Sequence, residues 1–157
     1  MASTWTDRLA ELGITLPDVV PPVASYTPAV RTGNLVYTSG QLPIVDGELS
    51  VRGKVSDGAE GVVRPEAATE AARICALNAL AAVNALVGID SIVRVVKVVG
   101  FVASAPGFTG QPQVINGASD VLGEIFGDAG VHARSAVGVA ELPLGAPVEV
   151  ELIVEVA

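Results

Sequence analysis

Apolar and polar residues follow two rhythms along this chain. From Val148 to Val156 the period is two: Val148, Val150, Leu152, Val154 and Val156 point one way, and Glu149, Glu151, Ile153 and Glu155 the other. That is a strand with one face on a core. From Ser91 to Ser104 both faces are apolar, with Val95, Val99 and Phe101 on one and Val96, Val98 and Val102 on the other. Such a strand is covered on both sides. Leu35 to Thr38 and Arg134 to Leu142 read as further strands. Val30 to Asn34 holds a Thr-Gly-Asn turn, and Asp46-Gly47 marks a hairpin turn into Leu49 to Arg52.

Two segments shift to the helical period. The first opens at Pro65, where a missing N–H leaves no bond unmade. It carries a polar stripe of Glu66, Thr69, Glu70 and Arg73, with Ile74, Leu77, Leu80, Ala81 and Leu86 as its buried face, and stops at Gly88. The second spans Pro112 to Phe126, with Ile115, Ala118, Leu122, Ile125 and Phe126 apolar and Gly127 as its stop. A short amphipathic helix, Thr4 to Leu12, joins Trp5, Leu9 and Leu12 on one face. Pro17, Pro21 and Pro22 follow as an extended connector, and residues 53–64 read as a loop. The order is β-β-α-β-α-β-β, an α+β layer built as one domain over 1–157, with 1–21 as N-terminal helix and connector. Two helices cannot cover both faces of a sheet of about five strands. An oligomer is the expectation.

Composition sharpens that picture. Half of the 157 residues are apolar and 17% are charged, a thin polar coat. A net charge of −8 argues against binding nucleic acid through phosphates. The one cysteine, Cys75, cannot form an intrachain disulfide and reads as a small buried hydrophobe. No Cys/His cluster spells a metal site, and no phosphate-cradling motif spells a nucleotide cofactor. The charged segment from Met1 to Glu11 lacks a signal core, and no run of about 18 apolar residues free of charge or glycine is expected to span a membrane. A cytoplasmic location is the expectation.

The candidate chemistry sits near the C-terminal end. Arg134 begins one strand, and Glu149 lies on what reads as the next strand of a hairpin. An arginine aimed into a cleft holds a small carboxylate by two parallel hydrogen bonds, and a nearby glutamate orients or deprotonates water. The plainer readings are an Arg134–glutamate ion pair and a solvated glutamate face. Ser39 has no histidine beside it in sequence, so a serine triad requires His132, the only histidine, to reach it.

Tyr37-Thr38-Ser39-Gly40-Gln41-Leu42-Pro43, Ala133-Arg134-Ser135, Leu142-Pro143 and Val148-Glu149-Val150-Glu151, in this order of elements, resemble the reactive intermediate deaminase (Rid, YjgF, endoribonuclease L-PSP-like) family over roughly 22–156. The resemblance implies a chorismate mutase-like α+β protomer and a homotrimer with sites at subunit boundaries. It implies hydrolysis of enamines and imines, such as 2-aminoacrylate, to keto acids and ammonia, without metal or cofactor. By the same resemblance Arg134 grips the substrate carboxylate and Glu149 positions water. Tyr26 and Ser39 line the cleft, and Asn116 stands near the family's helix asparagine. This chain departs from the pattern at Ala136, where cysteine is common, and at Gly130-Val131-His132. A keto-acid binding protein without turnover is the alternative. Ribonuclease activity, which the older family label names, is disfavoured by the acidic charge.

Overall fold

The computed structural model describes residues 3–58 and 62–157. Residues 59–61 of the expected 53–64 loop, and the first two residues of the N-terminal segment, lie outside them. Thr4 caps helix α1, Trp5–Glu11, through a reciprocal pair of bonds with Asp7. Trp5 docks this helix: its indole N–H donates to the Ile92 carbonyl at 2.8 Å, and its ring meets Phe126 edge-on at 5.0 Å.

Strands β1, Ala29–Thr32, and β2, Leu35–Thr38, form a hairpin around Gly33, whose φ of 56° suits glycine. The residues before the Thr-Gly-Asn turn are thus a strand, which their pattern hid because only Ala29 of the four is buried. Strands β3, Ile44–Val45, and β4, Glu48–Leu49, close over Asp46-Gly47 as a separate two-stranded hairpin. The strand expected at Leu49 to Arg52 therefore ends at Leu49 and stays out of the main sheet. Helix α2 is Pro65–Val87, followed by strand β5, Ile92–Ala103, and helix α3, Gln111–Phe126. Strands β6, Ala133–Val139, and β7, Val148–Val156, complete a five-stranded sheet of order β1-β2-β7-β5-β6.

That order corrects the hairpin expected of the last two strands. β6 pairs parallel with β5, and β7 pairs antiparallel with its other side, so β5 lies between them. The helical turn at Pro143–Gly145 lies on the chain that crosses from one to the other.

Both helices pack on one face of the sheet. The face of α2 that meets it is mostly small: Ala68, Ala71, Ala72, Cys75, Ala76, Ala79 and Val83 are buried, with Leu80. Ile74 and Leu77 are only partly buried, and Leu86 is exposed, contrary to the larger-residue face read from the sequence. Small residues let the helix approach the sheet closely, and the large side chains sit at its margins. By length and composition α2 is apolar enough to cross a membrane, although Glu70 and Arg73 interrupt its apolar run; here its apolar residues cover the sheet.

Strand β5 carries a second correction. Its register with β7 shifts between Val95 and Lys97, which places Val95 on the buried face with Val98 and Val102 instead of with Val99 and Phe101. A bulge inserts one residue and inverts the alternation. The segment read as a loop is also more ordered: Val55 and Val63 are buried and bridge to each other, and Val55 bridges to Ser104 beyond the end of β5.

Candidate functional site

Arg134 lies opposite Val98 in the register, and Val98 is on the helix-covered face. Its side chain accordingly meets α3. Nη1 donates to Asn116 Oδ1 at 2.8 Å and to Ser119 Oγ at 3.2 Å, and Nη2 donates to the Pro112 carbonyl at 3.2 Å. A guanidinium has five N–H donors, and among the described residues these three bonds leave Nε–H and one Nη2–H without a partner. Nε and Nη2 are a pair from which a carboxylate can accept two hydrogen bonds. Among the described residues no carboxylate pairs with Arg134, so the plain ion-pair reading has no support within the protomer. Asn116, matched loosely by sequence, is a direct partner of the arginine.

Glu149 stands opposite Phe101, and it alternates with buried Val148 and Val150, so it lies on the sheet face away from the helices. Its carboxyl group lies over Gly40, where any Cβ would collide with Oε1. Half-burial pushes its pKa up, and the Glu151 carboxylate adds to that. Such a shift makes a stronger base of a carboxylate. A side chain at Gly40 would therefore have to push the Glu149 carboxyl group aside.

The Thr38-Ser39-Gly40-Gln41 segment continues β2 along β7. Gln41 exchanges backbone bonds with Val150, and the Leu152 N–H donates to the Thr38 hydroxyl at 2.9 Å. Thr38 was not singled out in the sequence; its hydroxyl takes a place that a backbone carbonyl takes in a regular ladder. Ser39 Oγ donates to the Thr27 carbonyl at 2.6 Å, which engages its hydroxyl in holding the Tyr26 loop. Tyr26 and Gly40 line one small cleft with Val20, Val23 and Leu42, and Tyr26 is exposed.

The site residues therefore form two groups. Arg134 and Asn116 make one; Tyr26, Ser39 and Glu149 make the other. Two strand spacings, about 10 Å, and three residues, about another 10 Å, separate the Arg134 and Glu149 backbones. Their side chains leave opposite faces of the sheet. His132 reaches Ser119, not Ser39, so no Ser39 triad forms. Cys75 is fully buried, and burial first and the Glu149 charge second push its thiol well up, which fits a packing role. Among the described residues no cluster of potential metal ligands occurs.

Comparison with known proteins agrees with this architecture. The family described as Endoribonuclease L-PSP matches residues 16–156. Protein TCP17 of Trypanosoma cruzi is 45% identical, over 94% of this chain and 91% of its own. A 2-iminobutanoate/2-iminopropanoate deaminase of Dermatophagoides farinae is 34% identical, over 90% of this chain and 93% of its own. Among solved structures, an Agrobacterium tumefaciens protein of unknown function superposes with a TM-score of 0.86 at 45% identity, covering 98% of this chain and 92% of that one. The YjgF gene product of Escherichia coli superposes with a TM-score of 0.64 at 26% identity, over 88% of this chain and 93% of that one.

Proposed function

Since this chain belongs to the endoribonuclease L-PSP (YjgF/Rid) family, we propose that it hydrolyses small 2-imino and 2-enamino acids to 2-oxo acids and ammonia. The observation that carries this reading is the Arg134 guanidinium, fixed by Asn116, Ser119 and Pro112, with two donors left and no paired carboxylate among the described residues. The catalytic cleft lies between copies in a homotrimer. Arg134 and Asn116 come from one copy, and Glu149, Ser39 and Tyr26 from the next. The opposite facing of the two groups within one protomer supports that arrangement. So does the sheet face that no helix covers, where Val99, Phe101 and Ile153 are only half-buried.

In this reading Arg134 takes the substrate carboxylate through Nε–H and Nη2–H and sets the C=N carbon beside a water. Glu149 accepts a proton from that water as its oxygen adds to the carbon. The proton passes to nitrogen to give the carbinolamine; Glu149 then takes the hydroxyl proton and returns it to nitrogen as the C–N bond breaks, so that C=O forms and ammonia leaves. An enamine is first protonated at its β carbon to give the imine. The step is an addition to an already electrophilic carbon, so positioning and one base supply it.

The test generates 2-iminobutanoate in situ with an amino-acid oxidase and follows its loss. Wild type is expected to accelerate the loss. Arg134→Ala is expected to lower kcat/KM by roughly a hundredfold, and Glu149→Ala to lower kcat by a comparable factor with less effect on KM. Wild-type rates equal to buffer for short and long imino acids overturn the enzyme reading. Carboxylate binding lost only with Arg134 then leaves a binding protein.

A further inference from the structure

His132, Ser119 and Arg134 come from separate positions in the chain and meet beside the carboxylate fork. His132 Nδ1 lies 2.6 Å from the Gly130 carbonyl oxygen, and Nε2 lies 2.8 Å from Ser119 Oγ. A carbonyl only accepts, so Nδ1 carries the proton. In the neutral ring Nε2 is then an acceptor, and the Ser119 hydroxyl donates to it. The same oxygen accepts from Arg134 Nη1. Donors run in one direction: guanidinium to hydroxyl, hydroxyl to imidazole, imidazole to carbonyl.

We infer that Ser119 and His132 are positioning residues that couple carboxylate capture at Arg134 to protonation of the imidazole, so that small 2-oxo and 2-imino carboxylates bind more tightly as pH falls. The inference rests on Arg134 being the carboxylate anchor. When His132 gains a proton, Nε2 becomes a donor and the Ser119 hydroxyl hydrogen must turn away from it. A second cation then lies two hydrogen bonds from the guanidinium. Without an anion the two cations repel; a bound carboxylate offsets the repulsion. Linkage makes the effect reciprocal: the anion must also tighten proton binding to the ring.

Other charged groups on the surrounding elements are Asp120 and Glu124 of α3, Asp128 after it, Lys97 of β5, and Arg94 of β5. Arg94 donates to the Val131 carbonyl at 3.0 Å. Among the described residues none is within ion-pair distance of the imidazole. Glu149, with its raised pKa, gives anion binding the same sign of pH dependence. A binding curve alone is therefore insufficient, and the ring must be observed.

His132 is the sole histidine, so nitrogen NMR of the intact protein labelled at histidine reads it without overlap. The expected result is an Nδ1–H tautomer at high pH. Saturating 2-oxobutanoate is expected to tighten proton binding to the ring about three- to tenfold. Ser119→Ala should remove most of that increase, and Arg134→Ala should remove both the increase and the binding. Arg134-dependent binding with no change in ring titration, or an Nε2–H tautomer, overturns the coupling and leaves the anchor intact. Absent binding, or binding that ignores Arg134→Ala, overturns the anchor and the coupling with it.

Discussion

Gly40 decides where the Glu149 carboxylate lies. With no Cβ at position 40 the carboxylate rests against the backbone; with one, Oε1 and the Cβ would occupy the same space. Gly40→Ala is therefore expected to displace the base and lower kcat about ten- to a hundredfold, with KM for the imine changing little. An unchanged kcat would mean that Glu149 is not the base. The raised pKa of Glu149 gives a second prediction. A carboxylic acid held above its ordinary value destabilises the fold once ionised, and the penalty is complete above the folded-state value and gone below the unfolded one. A neighbouring guanidinium would oppose the shift, so the clean comparison is in Arg134→Ala. There, adding Glu149→Gln is expected to raise the melting temperature at pH 7, and the gain should shrink as pH falls through about 4. At this scale the sequence showed the residue types and their order: Arg134 and Glu149 stand out by motif. It hid the contacts, because Ser119 and His132 meet only when α3 is laid against the start of β6.

Helix placement depends on a few close approaches. A Cβ at Gly117 of α3 would strike the Thr69 carbonyl of α2, so the two helices cross where one of them has no side chain. Gly117→Val is expected to destabilise the protein by about 1–3 kcal/mol. Urea unfolding would measure it, and a midpoint equal to wild type would show that the crossing is not tight. Because Gly117 follows Asn116, the same change should also move the arginine's partner and weaken carboxylate binding. The long helices and β7 were legible because their periodicity runs for many residues: β7 alternates over its whole length, Val148–Val156. What the pattern hides are features that act across the chain. The shift between Val95 and Lys97 inverts β5 without altering composition. β1 has too little burial to announce itself. Adjacency in sequence suggests a β6–β7 hairpin, whereas the parallel pairing of β6 with β5 puts a strand between them.

On the scale of the whole molecule, one protomer holds two incomplete groups. Arg134 and Asn116 sit on the helix side of an edge strand, and Glu149, Ser39 and Tyr26 gather around Gly40. The uncovered sheet face was legible from two helices and five strands. That the face divides Arg134 from Glu149 was not, since motif spacing along the chain carries no information about sheet sides. The central claim, a site shared between copies, is tested most directly by subunit mixing. Arg134→Ala and Glu149→Ala proteins, each roughly a hundredfold impaired alone, are unfolded together, refolded, and assayed for loss of 2-iminobutanoate. In a ring of mixed copies, an intact Arg134 can face an intact Glu149, and random assembly gives about a quarter of the wild-type sites. The account predicts activity near that fraction. Activity no greater than that of the two variants refolded separately, with wild type recovering fully under the same treatment, would contradict it.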